Sequence, residues 1–250
     1  MFREFFLLLF LAHIVSDFYF QTEKVARKKE DSMKWVILHC LCYWFTTIGI
    51  LLPVISLAIF RYGTIAAITH LIIDVTKFRY VSCAKEKITM VKERNLFLID
   101  QFLHVICLIV ISYLFVKEVG KLNLWDNMAD FFTIIGVPGN ILVSWITVLL
   151  IIHKPANITI SKLLMLYRPL DKEDNKKIRY SAGKSIGSLE RILILIFISI
   201  GQYSAIGLVL TAKSIARYDR ISKEKEFAEY YLLGTLFSTA IAIIVSFLVL

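Results

Sequence analysis

Histidine and aspartate side chains recur at a four-residue spacing within apolar stretches of this sequence. Three pairs have this spacing: His13 and Asp17, His70 and Asp74, and, in reverse order, Asp100 and His104. A further histidine, His39, lies in another apolar stretch. Residues four apart share one face of an α-helix, so the two members of each pair are predicted to point the same way.

Four imidazoles and three carboxylates match the ligands of one or two divalent transition metals, with zinc, manganese and iron as the candidates. The candidate metal ligands are His13, Asp17, His39, His70, Asp74, Asp100 and His104. The candidate catalytic residues are Asp17, Asp74 and Asp100. A bound metal would activate water as a nucleophile and polarise a carbonyl or phosphoryl oxygen. Gln21 and Gln101 are predicted to support these ligands or to contact substrate.

The composition places these residues in a membrane protein. Apolar residues make up 58% of the 250 residues, above the roughly 45–50% of soluble domains. The mean hydropathy is +0.69. Each apolar run has about the 20 residues that a membrane-spanning helix needs. We therefore expect an all-α polytopic bundle of about seven helices, over residues 5–20, 35–58, 60–80, 95–117, 131–152, 189–212 and 229–250.

The basic residues indicate membrane orientation. The net charge of +9 comes with no basic segment of interleaved aromatic residues, so no nucleic-acid partner is expected. Loops 21–34, 77–94 and 153–184 are rich in Lys and Arg, which predicts that they are cytoplasmic and the N-terminus outside. Seven simple spans would put the equally basic loop 213–225 outside. Either one apolar run in the second half is re-entrant or the positive-inside rule does not hold for this loop. The sequence Gly-Val-Pro-Gly at 136–139 is one position where a helix could be interrupted.

Counting inward from the predicted cytosolic helix ends at 1.5 Å per residue gives two adjacent layers. Asp17, His39, Asp74 and Asp100 lie roughly 4–8 Å deep, and His13, His70 and His104 roughly 10–14 Å deep. Ionisable groups at such depth are costly and normally face a bundle interior or a cavity. One isolated pair would be explained by helix packing, whereas a matched set favours a functional site.

Two parts are predicted along the chain. Residues 1–117 form a four-helix membrane bundle with the His/Asp site, and residues 118–250 add helices around a cytosolic segment, 154–185. The first 16 residues of that segment resemble a short amphipathic interfacial helix. Glu190 and Arg191 are interpreted as an exposed pair at the membrane interface.

The motifs AHIVSDFYFQ, THLIIDVTK and LIDQFLH resemble those of a bacterial membrane family known as domain of unknown function family 3307. The resemblance covers about residues 5–117, and GSLERILILIFISIGQYSAIGLVLTAKSIAR resembles the extension of longer members. The pattern is also similar in style to predicted membrane-bound metal-dependent hydrolases. The resemblance implies the site and no particular substrate.

The leading functional hypothesis is a membrane-embedded metal-dependent hydrolase of the bacterial cytoplasmic membrane. Because the site would open to the cytosolic leaflet, its substrate would be a lipid or lipid-linked phosphate or ester. Two alternatives stay open: a transporter or channel for protons or divalent ions, and a membrane scaffold for a cytosolic protein. Membrane lipids are the expected partners, and self-association stays open.

Overall fold

A computed structural model describes residues 1–84, 89–168 and 176–250, and within these the side chains of 176–182 are left undescribed. All regular elements of the described residues are helices, which confirms the all-α class. They are α1 (Phe2–Ile14), α2 (Glu23–Asp31), α3 (Met33–Leu51), α4 (Leu57–Cys83), α5 (Met90–Glu118), α6 (Asp126–Ile135), α7 (Gly139–Leu163), α8 (Lys176–Ser199), α9 (Tyr203–Ile215), α10 (Tyr218–Lys223) and α11 (Lys225–Val249).

The chain is a multi-pass membrane protein. Among the described residues, the helices α3, α4, α5, α7 and α11 are long and apolar enough to span a bilayer. A sixth span is formed if α1 and the strongly bent α2 count as one segment. Two compact units are present, Met1–Thr147 and Val148–Leu250, and the predicted division between residues 117 and 118 stays a prediction.

In the first unit, α1, α3, α4 and α5 form a closed four-helix bundle. The helices α1 and α4 each pack against both α3 and α5. The half of the bundle that is predicted to face outside has an apolar core: Phe5, Leu9, Leu51, Ile59, Tyr62, Ala66, Leu108, Ile111 and Phe115. At Gly63 of α4 an added Cβ would lie 2.8 Å from the Leu51 side chain, so α3 and α4 approach closely there.

The helix α1 continues into a π-helical turn, Val15–Phe20, and the chain then bends by 90° into α2. The side chain of Thr22 accepts a hydrogen bond from the Val25 amide and so caps α2. The sequence of α2 is rich in Lys, Arg and Glu, which is typical of a helix that lies at the membrane surface. Its Lys28 ammonium lies 4.2 Å from the ring centre of Trp35 at the start of α3.

The fifth apolar run, 131–152, is not one helix. It breaks between α6 and α7, because Gly136 has a positive φ of 68° and ends α6. This break lies at the candidate position 136–139 named from the sequence. The short interfacial helix predicted at the start of segment 154–185 is instead a continuation of α7, which runs through Pro155 to Leu163. Residues 169–175 of the predicted cytosolic segment lie outside the described residues.

The sixth apolar run, 189–212, was expected to be a single span and is instead two antiparallel helices. Gly201 has a φ of 70° after the end of α8. The Gln202 amide donates to the carbonyl of Phe197 and the Gly201 amide to that of Ile198, which is the Schellman termination of a helix. The 13 residues of α9 measure about 20 Å, too short to cross a hydrocarbon core of about 30 Å.

An ion pair closes this hairpin. Lys213, near the end of α9, lies 2.7 Å from Glu190 in the second half of α8. Loop 213–225 therefore returns to the side from which α8 starts. The positive-inside rule then predicts the cytoplasmic side both for this loop and for the start of α8, a prediction that seven simple spans do not allow.

Arg191 is buried in the second unit, which corrects its interpretation as an exposed interfacial residue. Only 1% of the residue is exposed. Its guanidinium donates to the Ile152 carbonyl at 2.6 Å, to Asn157 Oδ1 at 2.8 Å and to Ser238 Oγ at 2.9 Å. Arg191 thus joins α7, α8 and α11.

The hairpin predicts which residues of the second unit share a side of the membrane. In a variant whose native cysteines are replaced by alanine, Gly183→Cys and Ser222→Cys should react with an impermeant maleimide from the same side of sealed vesicles. Leu250→Cys, at the far end of α11, should react from the opposite side. Reaction of Gly183→Cys and Ser222→Cys from opposite sides would contradict the hairpin.

The Arg191 network predicts a large loss of stability on truncation. Arg191→Leu leaves a buried carbonyl and several buried side chains without their donor, so the free energy of unfolding should fall by about 3 kcal/mol or more. Lys225→Ala removes a charge at an exposed position and should change it by less than about 0.5 kcal/mol. Unfolding in mixed micelles by added denaturing detergent measures both values, and equal values for the two variants would refute the role of Arg191.

Candidate functional site

All seven predicted ligands lie together in the half of the first bundle that is predicted to face the cytosol. His13 belongs to α1 and Asp17 to the π-helical turn after it, while the others come from α3, α4 and α5. Six of the residues are buried, and the Asp17 side chain is 9% exposed. Four apolar helices thus carry seven ionisable groups into one small volume.

The four imidazole rings form a connected group with His70 at its centre. The ring of His70 lies 4.4 Å from that of His104, 5.4 Å from that of His39 and 5.9 Å from that of His13, measured between ring centres. The rings of His13 and His104 are 5.1 Å apart. The three deeper histidines expected from helix register are therefore mutual neighbours.

Two histidine nitrogens lie close to each other and to one oxygen of each of two carboxylates. The four atoms are Asp17 Oδ1, His39 Nε2, His70 Nε2 and Asp74 Oδ2. His39 Nε2 lies 3.3 Å from both Asp17 Oδ1 and His70 Nε2, and 3.8 Å from Asp74 Oδ2. His70 Nε2 lies 3.6 Å from Asp17 Oδ1 and 3.4 Å from Asp74 Oδ2. We call these four atoms the ligand tetrad.

The size of the ligand tetrad suits a transition-metal ion. Tetrahedral nitrogen and oxygen ligands at about 2.0–2.1 Å from a metal lie roughly 3.3–3.4 Å from one another. The separations within the triad of His39, His70 and Asp74 are 3.3–3.8 Å, close to this value. Asp17 Oδ1 lies 3.3 Å and 3.6 Å from the same nitrogens of His39 and His70. The mixture of imidazole and carboxylate suits zinc, iron or manganese.

A second group of ligands adjoins the tetrad. One ligand atom each from Asp74, Asp100 and His104 lie within 4.8 Å of one another. Asp74 belongs to both groups, which is the arrangement that a bridging carboxylate has in a two-metal site. The described residues therefore offer positions for one metal ion or for two.

The hydrogen bonds of His104 fix which nitrogen carries its proton. Nδ1 lies 2.7 Å from the backbone carbonyl oxygen of Asp100, and since a carbonyl only accepts, Nδ1 must donate. Nε2 of the neutral ring then keeps its lone pair. This nitrogen is buried and makes no hydrogen bond within the described part of the chain. Metal-binding histidines commonly use their second nitrogen in this way.

Gln101 orients His13 in a related way. Its amide nitrogen donates to Asp100 Oδ2 at 3.3 Å, which turns its oxygen toward His13. That oxygen lies 3.4 Å from His13 Nε2, so Nε2 is the donor and Nδ1 keeps the lone pair. Nδ1 is buried and lies 3.8 Å from Asp17 Oδ2. Gln101 therefore contacts two candidate ligands, as its position beside Asp100 predicts.

The π-helical turn sets the position of Asp17. In this turn the Gln21 amide donates to the carbonyl of Ser16, five residues back, at 3.1 Å. Such turns occur often at functional sites, because the extra residue rotates the side chains that follow. Gln21 ends the turn in an extended conformation, and its side-chain oxygen accepts a hydrogen bond from Lys29 at 3.1 Å.

Two lysines absent from the predicted site contact its carboxylates. Lys29 Nζ donates to Asp74 Oδ2 at 2.7 Å, and Lys77 Nζ lies 2.9 Å from Asp100 Oδ2. Burial alone would lower the pKa of Lys29 on α2, but the Asp74 and Asp17 carboxylates outweigh it and raise that pKa. Lys29 is therefore a charged partner of Asp74.

One of these lysines was readable from the sequence and the other was not. Lys77 follows Asp74 by three residues and His70 by seven, so it continues the same face of α4. Lys29 has no periodic relation to Asp74, because it reaches the site only through the bend between α1 and α2. Tyr43, four residues after His39, was also missed, and its ring stacks on His70 with 3.9 Å between centres.

A family model described as "Protein of unknown function (DUF3307)" matches residues 5–133. The match covers more than half of the chain, and the chain therefore belongs to the DUF3307 family. The matched region contains all seven predicted ligands, and its boundary in the second half of α6 falls within the first compact unit. Comparisons with curated proteins and with solved structures give no match.

The tautomers of His13 and His104 can be measured. In metal-free protein, histidine-selective nitrogen NMR should show His104 protonated at Nδ1 and His13 protonated at Nε2. Gln101→Leu removes the acceptor of the His13 proton, so the His13 signals should shift while those of His104 stay in place. A His104 ring protonated at Nε2 would contradict the assigned hydrogen bond to the Asp100 carbonyl.

Proposed function

We propose that this member of the DUF3307 family is a membrane-embedded, metal-dependent hydrolase of the bacterial cytoplasmic membrane. Its substrate would be a lipid or lipid-linked phosphate or ester, reached from the cytosolic side. The observation that carries the proposal is the ligand tetrad. His39 and His70 lie 3.3–3.8 Å from each other and from the Asp17 and Asp74 oxygens, close to the ligand separations around a tetrahedral metal ion.

In this proposal the ligand tetrad holds a divalent ion, which would supply an activated water and polarise the oxygen of the scissile group. Each carboxylate binds through a single oxygen in the tetrad. An ion that expands to five or six ligands would thus keep a position for water. A second ion, where present, would use Asp74 together with Asp100 and His104.

Proton transfer would fall to the histidines outside the tetrad. His104 Nε2 and His13 Nδ1 each keep a lone pair, and both nitrogens are buried without a hydrogen bond in the described residues. A neutral imidazole beside an activated water is the usual general base. The contacts of His13 with Gln101 and of His104 with the Asp100 carbonyl hold both rings in the tautomer that this role needs.

The depth of the site supports a lipid-derived substrate. The ligands lie on the cytosolic half of α1, α3, α4 and α5, beside the surface helix α2. A reacting group near the lipid head groups could approach from the cytosolic leaflet without leaving the membrane. The apolar core in the other half of the bundle separates the ligands from the opposite face.

The same apolar core weighs against the alternative of a transporter or channel for protons or divalent ions. A conduction path would need polar groups along the bundle, whereas Phe5, Leu9 and Phe115 pack there with 0% exposure. Transport of metal ions into sealed proteoliposomes would nevertheless favour this alternative over hydrolysis. A scaffold role has no such support from the described residues.

Metal analysis tests the proposal directly. We expect detergent-purified protein to contain at least about one zinc, manganese or iron ion per chain. His70→Ala and Asp17→Asn remove tetrad ligands, so their metal affinity should fall by more than the roughly 10–100-fold lost with an outer partner. Hydrolysis of phosphatidic acid or of a phospholipid ester in mixed micelles should fall with the metal content.

Ser112→Ala is the matched control. Ser112 is a buried polar residue of α5 whose hydroxyl donates to the Leu108 carbonyl, away from the ligands. The variant should keep both metal content and hydrolysis. Wild-type protein without stoichiometric metal, or His70→Ala with the wild-type metal content, would falsify the proposal.

A further inference from the structure

Two lysine ammonium groups contact the carboxylates of the candidate site. Lys29 Nζ shares Asp74 Oδ2 with the ligand tetrad, at 2.7 Å, and Lys77 Nζ is 2.9 Å from Asp100 Oδ2. Side-chain exposure is 17% for Lys29 and 35% for Lys77, so both reach from the solvated end of the bundle into its interior. A divalent ion in the tetrad would compete with Lys29 for the same oxygen.

The charges of the site change sign when a metal binds. With neutral imidazoles, the three carboxylates outnumber the two ammonium groups by one negative charge. One divalent ion leaves one positive charge in excess, and a second ion would leave three. Unbalanced charge in a buried, low-dielectric site is costly, so a metal-loaded site favours an anionic ligand.

The two lysines lie where such an anion would enter. Lys29 is on the surface helix α2, and Lys77 lies six residues before the cytosolic end of α4. The carboxylates that they contact approach each other, since ligand atoms of Asp74 and Asp100 come within 4.8 Å. The Gln21 side chain also accepts a hydrogen bond from Lys29, which holds its ammonium at this entrance.

We propose that Lys29 and Lys77 form an anion site at the cytosolic entrance, which binds a phosphate group of the substrate once a metal ion has taken over the carboxylates. The inference rests on the proposed hydrolase function and narrows its substrate from esters in general to phosphate compounds. Lysine binds phosphate as a point charge through three N–H donors. Displacement of Lys29 from Asp74 makes those donors available to the phosphate.

The test measures phosphate binding and metal binding separately in full-length, detergent-purified protein. Inorganic phosphate is titrated calorimetrically into the metal-loaded and the metal-free protein, and metal content is measured in parallel. We expect binding only with metal. Lys29→Gln and Lys77→Gln should weaken it by about 10- to 100-fold, the loss expected for one charge-assisted hydrogen bond, with metal affinity unchanged or increased.

Lys28→Gln removes the same charge from the neighbouring position of α2, where the ammonium lies over Trp35, and should leave phosphate affinity unchanged. Lys29→Arg keeps the positive charge and should keep most of the phosphate affinity. A loss of affinity in Lys29→Gln alone is then due to the missing charge and not to misfolding. Short-chain phosphatidic acid and phosphatidylcholine distinguish the source of the phosphate. Tighter binding of phosphatidic acid than of inorganic phosphate identifies a lipid substrate, whereas equal affinities indicate a soluble one.

Two results would overturn the inference. Metal-loaded protein that binds phosphate equally well in Lys29→Gln, Lys77→Gln and Lys28→Gln would exclude the lysines and leave the hydrolase proposal intact. Protein that takes up no metal would remove both proposals, and phosphate binding to that metal-free protein would show that the lysines act independently of a metal centre.

Discussion

Carboxylates buried among apolar helices must have partners, because an isolated charge in a low-dielectric interior costs many kcal/mol. Asp17, Asp74 and Asp100 meet this requirement with different groups. Asp17 contacts His39 and His70. Asp74 contacts the same two histidines and also Lys29, and Asp100 forms an ion pair with Lys77. Apart from the contact between His70 and Asp74 within α4, each of these contacts joins two different elements. The need to compensate these charges therefore fixes the helices of the first bundle relative to one another.

The two halves of this bundle have opposite chemistry, and each half depends on the other. The half predicted to face outside is packed with aliphatic and aromatic residues, which supply stability without ionisable groups. The other half gives up such packing for seven ionisable side chains and several buried polar atoms without hydrogen bonds in the described residues. Buried polar atoms of that kind are uncommon in structural cores, and their concentration here supports the proposed site over a packing motif.

The second unit meets the same constraint differently at Arg191. This guanidinium has neutral oxygens around it, from a backbone carbonyl of α7 and from side chains of α7, α8 and α11. Hydrogen bonds thus compensate its buried charge. The two units differ in what the polar atoms surround. In the first unit several histidine nitrogens and carboxylate oxygens surround one small volume, whereas in the second unit several hydrogen-bond acceptors surround the Arg191 side chain.

The sequence by itself determined the membrane class, the helical content and the seven His and Asp residues that the structure brings together. Apolar runs of about 20 residues leave no other backbone structure, and a four-residue spacing places each His and Asp on one helix face. Helix register also predicted that His13, His70 and His104 lie at one depth, and their rings are neighbours in the structure. These inferences succeeded because they depend on one helix at a time, or on matching depths in antiparallel helices.

The tertiary structure alone decided how the runs are divided and what surrounds the ligands. The ion pair between Glu190 and Lys213, which are 23 residues apart, joins the two helices on either side of the Gly201 turn. Lys29 reaches Asp74 only because the chain turns by 90° after α1. The burial of Arg191 needs acceptors from three helices. The periodicity of residues within one helix carries no information about such contacts. They depend on how the turns between helices orient one helix relative to the next.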